Sequence, residues 1–134
     1  MPLLAQKMIY RSDLQANRHV IYVFGDNLER AGNGGQAKEM RGEPNAFGIP
    51  TKRKPLFSED AYLTDDDYEI MEKVFDECFS KIHNWLSEDR IIVFPSDGIG
   101  SGYALLEEKA PKIWKLLQDH TTQLYEFDYE LSIK

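Results

Sequence analysis

Unbroken apolar runs alternate along this chain with segments whose apolar residues recur every three or four positions. Val20 to Phe24 (VIYVF) is continuous, β-branched and aromatic, the pattern of a strand covered on both faces. Gly25 ends it, Arg30 to Gly35 reads as a glycine-rich loop, and Gln36 to Arg41 reads as a short helix. Asn45 to Ile49 is predicted as a second strand, closed by Pro50. From Asp65 to Leu86, the residues Met71, Val74, Phe75, Cys78, Phe79, Ile82, Trp85 and Leu86 predict one helix with a single buried face. Thr64 and the three aspartates behind it supply an N-cap and negative charge at the positive end of the dipole. Cys78 lies on the apolar stripe and reads as packing. Arg90 to Phe94 (RIIVF) is a further buried strand, running into Pro95-Ser96-Asp97-Gly98-Ile99-Gly100-Ser101-Gly102. Leu105 to Gln118 reads as helix, with a late start if Pro111 sits in its first turn. Gln123 to Phe127 is predicted as a last strand. The alternation predicts a three-layer α/β domain.

Composition narrows the function classes. At 134 residues, one domain (residues 1–134) is expected, able to bury roughly two-thirds of its unfolded surface without staples. No apolar run approaches the ~18 residues of a membrane span, and the first ten residues lack a basic-then-apolar leader. One cysteine excludes an internal disulfide and a Cys-rich zinc site, so a cytoplasmic protein is expected. A net charge of −7 argues against sequence-independent binding to a nucleic-acid backbone. The charge is uneven, however. Lys38 to Lys54 holds five basic residues (Lys38, Arg41, Lys52, Arg53, Lys54) against two acidic, while Ser58 to Asp89 holds eleven acidic against two basic. The basic segment suits either a small anionic ligand or plain solvent.

Two loops follow buried strands directly, Gly25 to Ala37 and Pro95 to Tyr103. In open α/β sheets, ligands bind beyond the carboxyl ends of strands. Glycines there let the backbone approach a ligand and turn successive amides toward phosphate oxygens. Two such loops can hold a diphosphate between them. GIGSGY is not GxGxxG, and neither a P-loop nor a G-x-S-x-G elbow occurs. His19, His83 and His120 have no metal spacing, and no metal or cofactor is expected. Ser96 and Ser101 lack a His–Asp arrangement and read as phosphate donors.

With these loops in place, the chain resembles the macro domain family, an ADP-ribose-binding α/β fold. It is most similar to the short branch that includes terminal ADP-ribose protein glycohydrolases and small phage-encoded macro-like proteins. The order of features fits from Met8 to Gln118. The resemblance implies a macro-like α/β/α domain with a mixed central sheet. It makes Met8 to Leu14 the opening strand and signature, with Asp13 reading the adenine amino group. Asn27, with Asp26 beside it, takes the place of the asparagine that holds the distal ribose. Arg30 to Ala37 resembles the first loop, so that Gly34, Gly35, Gln36 and Ala37 wrap the distal ribose and part of the diphosphate. Ser96, Gly98, Ile99, Gly100, Ser101 and Gly102 resemble the diphosphate loop, and Tyr103 covers the distal ribose. Gly48 to Lys54 is similar to the "ITK" segment of the glycohydrolase branch, whose lysine, here Lys52, attacks the anomeric carbon.

An ADP-ribosyl hydrolase has to expel a leaving group through an oxocarbenium-like state, with an oriented water or a covalent nucleophile. Asn27 can orient without titrating, and Asp97 or Asp26 can act as base or cation stabiliser. Lys52 as nucleophile needs its pKa lowered by burial or by cationic neighbours, of which Arg53 and Lys54 are the nearest in sequence. The alternative for Lys52 is a contact to phosphate or solvent. The branch's assisting aspartate falls on Tyr103 and Ala104 here, so two readings stand together. One is a hydrolase acting on an ADP-ribosylated substrate; the other is a module that binds ADP-ribose or a related nucleotide without turnover. A third, a nucleotide phosphoribohydrolase, rests on the similarity of Pro95 to Glu108 to a PGGxGT…E motif, and that family needs a longer chain.

Overall fold

The computed structural model describes residues 2–101 and 104–133. Its elements run β1 (Leu3–Gln6), α1 (Arg11–Ala16), β2 (Val20–Asn27), α2 (Ala37–Met40), β3 (Ala46–Lys52), α3 (Tyr68–Ser87), β4 (Ile91–Pro95), α4 (Leu106–Lys109) and α5 (Pro111–Ser132). The fold is α/β, built on one four-stranded sheet in the order β1-β4-β2-β3. All three pairings are parallel, which corrects the expected mixed sheet.

The continuous apolar run of β2 is explained by what covers it. Ile21 and Val23 pack into a cluster with α3 and α5, whereas Val20, Tyr22 and Phe24 pack with Leu14 of α1 and with Ala37 and Met40 of α2. Successive side chains point to opposite faces, so a strand covered on both sides has no polar positions to spare. β3 runs through Pro50, beyond its predicted end. This is possible because β3 is an edge strand, where a missing N–H costs no ladder bond.

Two expected strands are corrected. Gln123 to Phe127 lies inside α5, because Ile113, Leu117, Leu124 and Asp128 continue one buried helical face. Asp128 there accepts the Leu3 N–H at 3.3 Å and ties the helix to β1. Met8 to Leu14 is not the opening strand. That strand is Leu3–Gln6, and α1 begins at Arg11 behind a cap in which the Asp13 carboxylate accepts the Tyr10 N–H at 2.8 Å. The helix predicted from Leu105 breaks at Ala110, and Pro111 opens α5 in its first turn. Among the described residues, no helix is long and apolar enough to cross a membrane.

Candidate functional site

The carboxyl ends of all four strands border one cavity of about 260 Å³. This is where a parallel sheet presents its loops, and both glycine loops reach it. Of the residues singled out from sequence, Asp26, Asn27, Gly34, Gly35, Gln36, Ala37, Lys52, Asp97, Gly98, Ile99, Gly100 and Ser101 line it. Asp13 and Ser96 do not. Asp13 is spent on the cap of α1 and on the Gln6 amide, 3.1 Å away. Gly102 and Tyr103 lie outside the described residues.

At the end of β2 the ladder slips. Asp26 pairs in register with Pro50, but Asn27 pairs with Lys52. Such a bulge re-aims the residues that follow it, and here it sets Asn27 and Lys52, two of the three expected catalytic residues, side by side. The Asn27 amide then turns into its own loop, donating to the Ala31 carbonyl at 2.8 Å. Asp26 is buried, and Arg41 reaches its carboxylate at 2.5 Å. Arg30 adds a weaker pair at 3.4 Å. Arg41 also donates to the carbonyls of Gly32 at 2.5 Å and Ala31 at 3.1 Å. The first glycine loop is therefore fastened to the strand end through a buried carboxylate. Gly48 has to be glycine beside it, since a Cβ there would meet Asp26 Oδ2 at 2.5 Å.

The second loop is shaped by its backbone. Gly98 and Gly100 both have φ above +80° or close to it, in the left-handed region that favours glycine. Gly98 N donates to Pro95 O at 2.9 Å. The N–H groups of Asp97, Ile99, Gly100 and Ser101 have no acceptor among the described residues. Unpaired amides on a glycine loop are the donors an anion needs. Gly100 has a packing role as well, because a Cβ would lie 3.0 Å from Leu106 and 3.1 Å from Leu117.

Lys52 is buried, and desolvation holds its ammonium below the usual lysine range. Its Nζ donates to the Leu56 carbonyl at 2.5 Å and lies 4.8 Å from the Phe57 ring and 4.7 Å from the Tyr62 ring. Among the described residues it has no carboxylate partner. The cationic neighbours expected to lower its pKa are engaged elsewhere, Arg53 with Asp67 at 2.6 Å and Lys54 with Asp60 at 3.0 Å. Burial alone produces the shift.

Sequence reasoning did not put Lys7, Arg41, Thr51 or Phe57 in the cavity, though all four line it. Arg41 had a signal, as part of the basic segment; Lys7 had none, because the strand it follows, Leu3–Gln6, was not among the predicted elements. Among the described residues, no three His, Cys, Asp or Glu side chains cluster as metal ligands would.

Residues 4–120 match the profile of a family of unknown function, DUF7831, and the chain belongs to that family. No curated protein and no solved structure matches it.

Proposed function

We propose that this member of DUF7831 binds ADP-ribose in the cavity at the strand ends and hydrolyses an ADP-ribosyl linkage held there, on a three-layer, macro-like scaffold. The observation that carries the reading is the meeting of both glycine loops with Lys52 in a single cavity. The second loop offers a diphosphate amides that have no acceptor among the described residues. Lys52 offers a desolvated amine with no carboxylate partner among the described residues; neutral, it can act as a nucleophile, and charged, it can contact a phosphate. Asp97 lines the same cavity and is exposed, open to act as base or cation stabiliser.

A second reading, binding without turnover, is favoured by one contact. The Asn27 amide is committed to the Ala31 carbonyl and so positions the loop rather than a water.

Calorimetric titration with ADP-ribose, against AMP and NAD, tests the reading. Micromolar binding, worth about 8 kcal/mol, is expected for ADP-ribose, with AMP much weaker. Gly34→Glu is the matched variant. Gly34 lines the cavity, its φ is not in the left-handed region, and a Cβ there meets nothing within 4 Å. It should abolish binding with the melting temperature unchanged. Absence of binding to the wild-type protein would overturn the proposal. Release of ADP-ribose from modified protein or DNA then separates hydrolysis from binding alone.

A further inference from the structure

We propose that Lys7 is an anion-binding residue of this cavity, supplying positive charge to a phosphate group seated on the second glycine loop. The inference rests on reading the cavity as a nucleotide site. Lys7 follows β1 directly and lines the cavity. β1 and β4 pair in register as far as Gln6 and Pro95, and Ser96 N donates to Gln6 O at 3.0 Å. Lys7 therefore emerges beside Ser96, at the start of the second loop. Gln6 holds that turn from the other side, its amide donating to Met8 O at 2.8 Å and to Asp13 Oδ2 at 3.1 Å.

The charge around the cavity points the same way. Three cations line it: Lys7, Arg41 and Lys52. Arg41 is neutralised by Asp26, and Lys52 donates to Leu56 between two aromatic rings. Lys7 has neither a hydrogen-bond nor an ion-pair partner among the described residues. From Pro95 to Ser101 the second loop contains no basic residue and carries Asp97. Its unpaired amides contribute partial charges only, so a phosphate bound there would face the Asp97 carboxylate with no full countercharge from the loop. Lys7 is the cation that the β1–β4 pairing delivers to that point. Amides orient the oxygens; an ammonium on a flexible stem adds a point charge without demanding a fixed geometry.

Lys7 is exposed, so replacing it leaves the core intact. The test is calorimetry on the wild-type protein, Lys7→Ala and Lys7→Arg, each titrated with inorganic pyrophosphate and with ADP-ribose at low salt. Lys7→Ala is expected to weaken both about tenfold, as loss of a hydrogen bond to a charged group does, and Lys7→Arg to retain binding. If the wild-type protein binds pyrophosphate in a Lys7-dependent way but not ADP-ribose, the nucleotide reading fails and the role of Lys7 stands. If ADP-ribose binds equally to all three proteins, Lys7 has no such role and the nucleotide reading stands. Equal weakening by Lys7→Arg overturns the charge argument, and binding of neither ligand to the wild-type protein overturns both.

Discussion

The two glycine loops of the cavity reach the same kind of backbone by opposite means. The first is held by side chains: the buried Asp26 carboxylate grips Arg41, which grips the carbonyls of Ala31 and Gly32, and the Asn27 amide closes the turn. The second has no side-chain hydrogen bond among the described residues. It takes its course from two left-handed glycines and from Gly100 lying flat on α4 and α5. A charged residue at a loop is therefore no guide to ligand contact. Around the first loop the charges are scaffold, whereas around the second, Lys7 and Asp97 have no hydrogen-bond or ion-pair partner among the described residues.

The largest effect should come from removing the carboxylate under the first loop. Asp26→Ala leaves Arg41 without its partner at a site where Asp26 is 6 % exposed. Breaking a buried pair in this way should cost about 3 kcal/mol of stability, measured as a fall in the urea midpoint. A loss below about 1 kcal/mol would mean that the Asp26–Arg41 pair does not hold the loop.

Gly100→Ala attacks the second loop by volume and conformation together. A φ of +86° and would-be contacts of 3.0–3.3 Å with Leu106, Leu117 and Trp114 should cost about 2–3 kcal/mol. Gly34→Ala, on the first loop and in open space, should stay within about 0.5 kcal/mol of wild type. Equal effects in the same denaturation series would erase the distinction between a packed loop and a fastened one.

The smallest effect is a dependence on pH. α5, which supports Gly100, packs on α3, and His83 of α3 lies 4.7 Å from the Phe127 ring of α5. Burial, and then repulsion from His120, hold the His83 imidazole below the usual histidine value. The folded protein thus takes up its proton at lower pH than the unfolded chain. Just below the unfolded value of about 6.5 the unfolded chain binds more protons, so stability should fall as pH drops from about 7 toward 5. His83→Gln should flatten that slope in denaturation midpoints, and an unaltered slope would exclude His83 as its source.

Legibility followed the range of the interactions. β2, β3, β4 and α3 were readable because each is a local periodicity long enough to outweigh its neighbours. Both glycine loops were readable as loops for the same reason. Gln123 to Phe127 misled because five residues of mixed apolar and polar character fit either period. The packing of Leu124 in line with Ile113 and Leu117 decides for helix. Asp13 misled because an aspartate near a strand end fits a base-reading role and a helix cap equally well, and the cap is what it makes.

By itself, then, the sequence determined an α/β chain, the strands that need cover on both faces, the long amphipathic helix, and two glycine-rich loops. These are properties of neighbouring residues along the backbone. Only the tertiary structure decided that the strands are all parallel, that Asn27 and Lys52 become partners across a bulge, and that Asp26 fastens a loop. It alone brings Lys7, some ninety residues away in sequence, to the start of the second glycine loop. Strand order, register and burial depend on which distant segments share the sheet, and no local pattern encodes them. The low dielectric that lowers the Lys52 pKa likewise exists only once the cavity has closed around it.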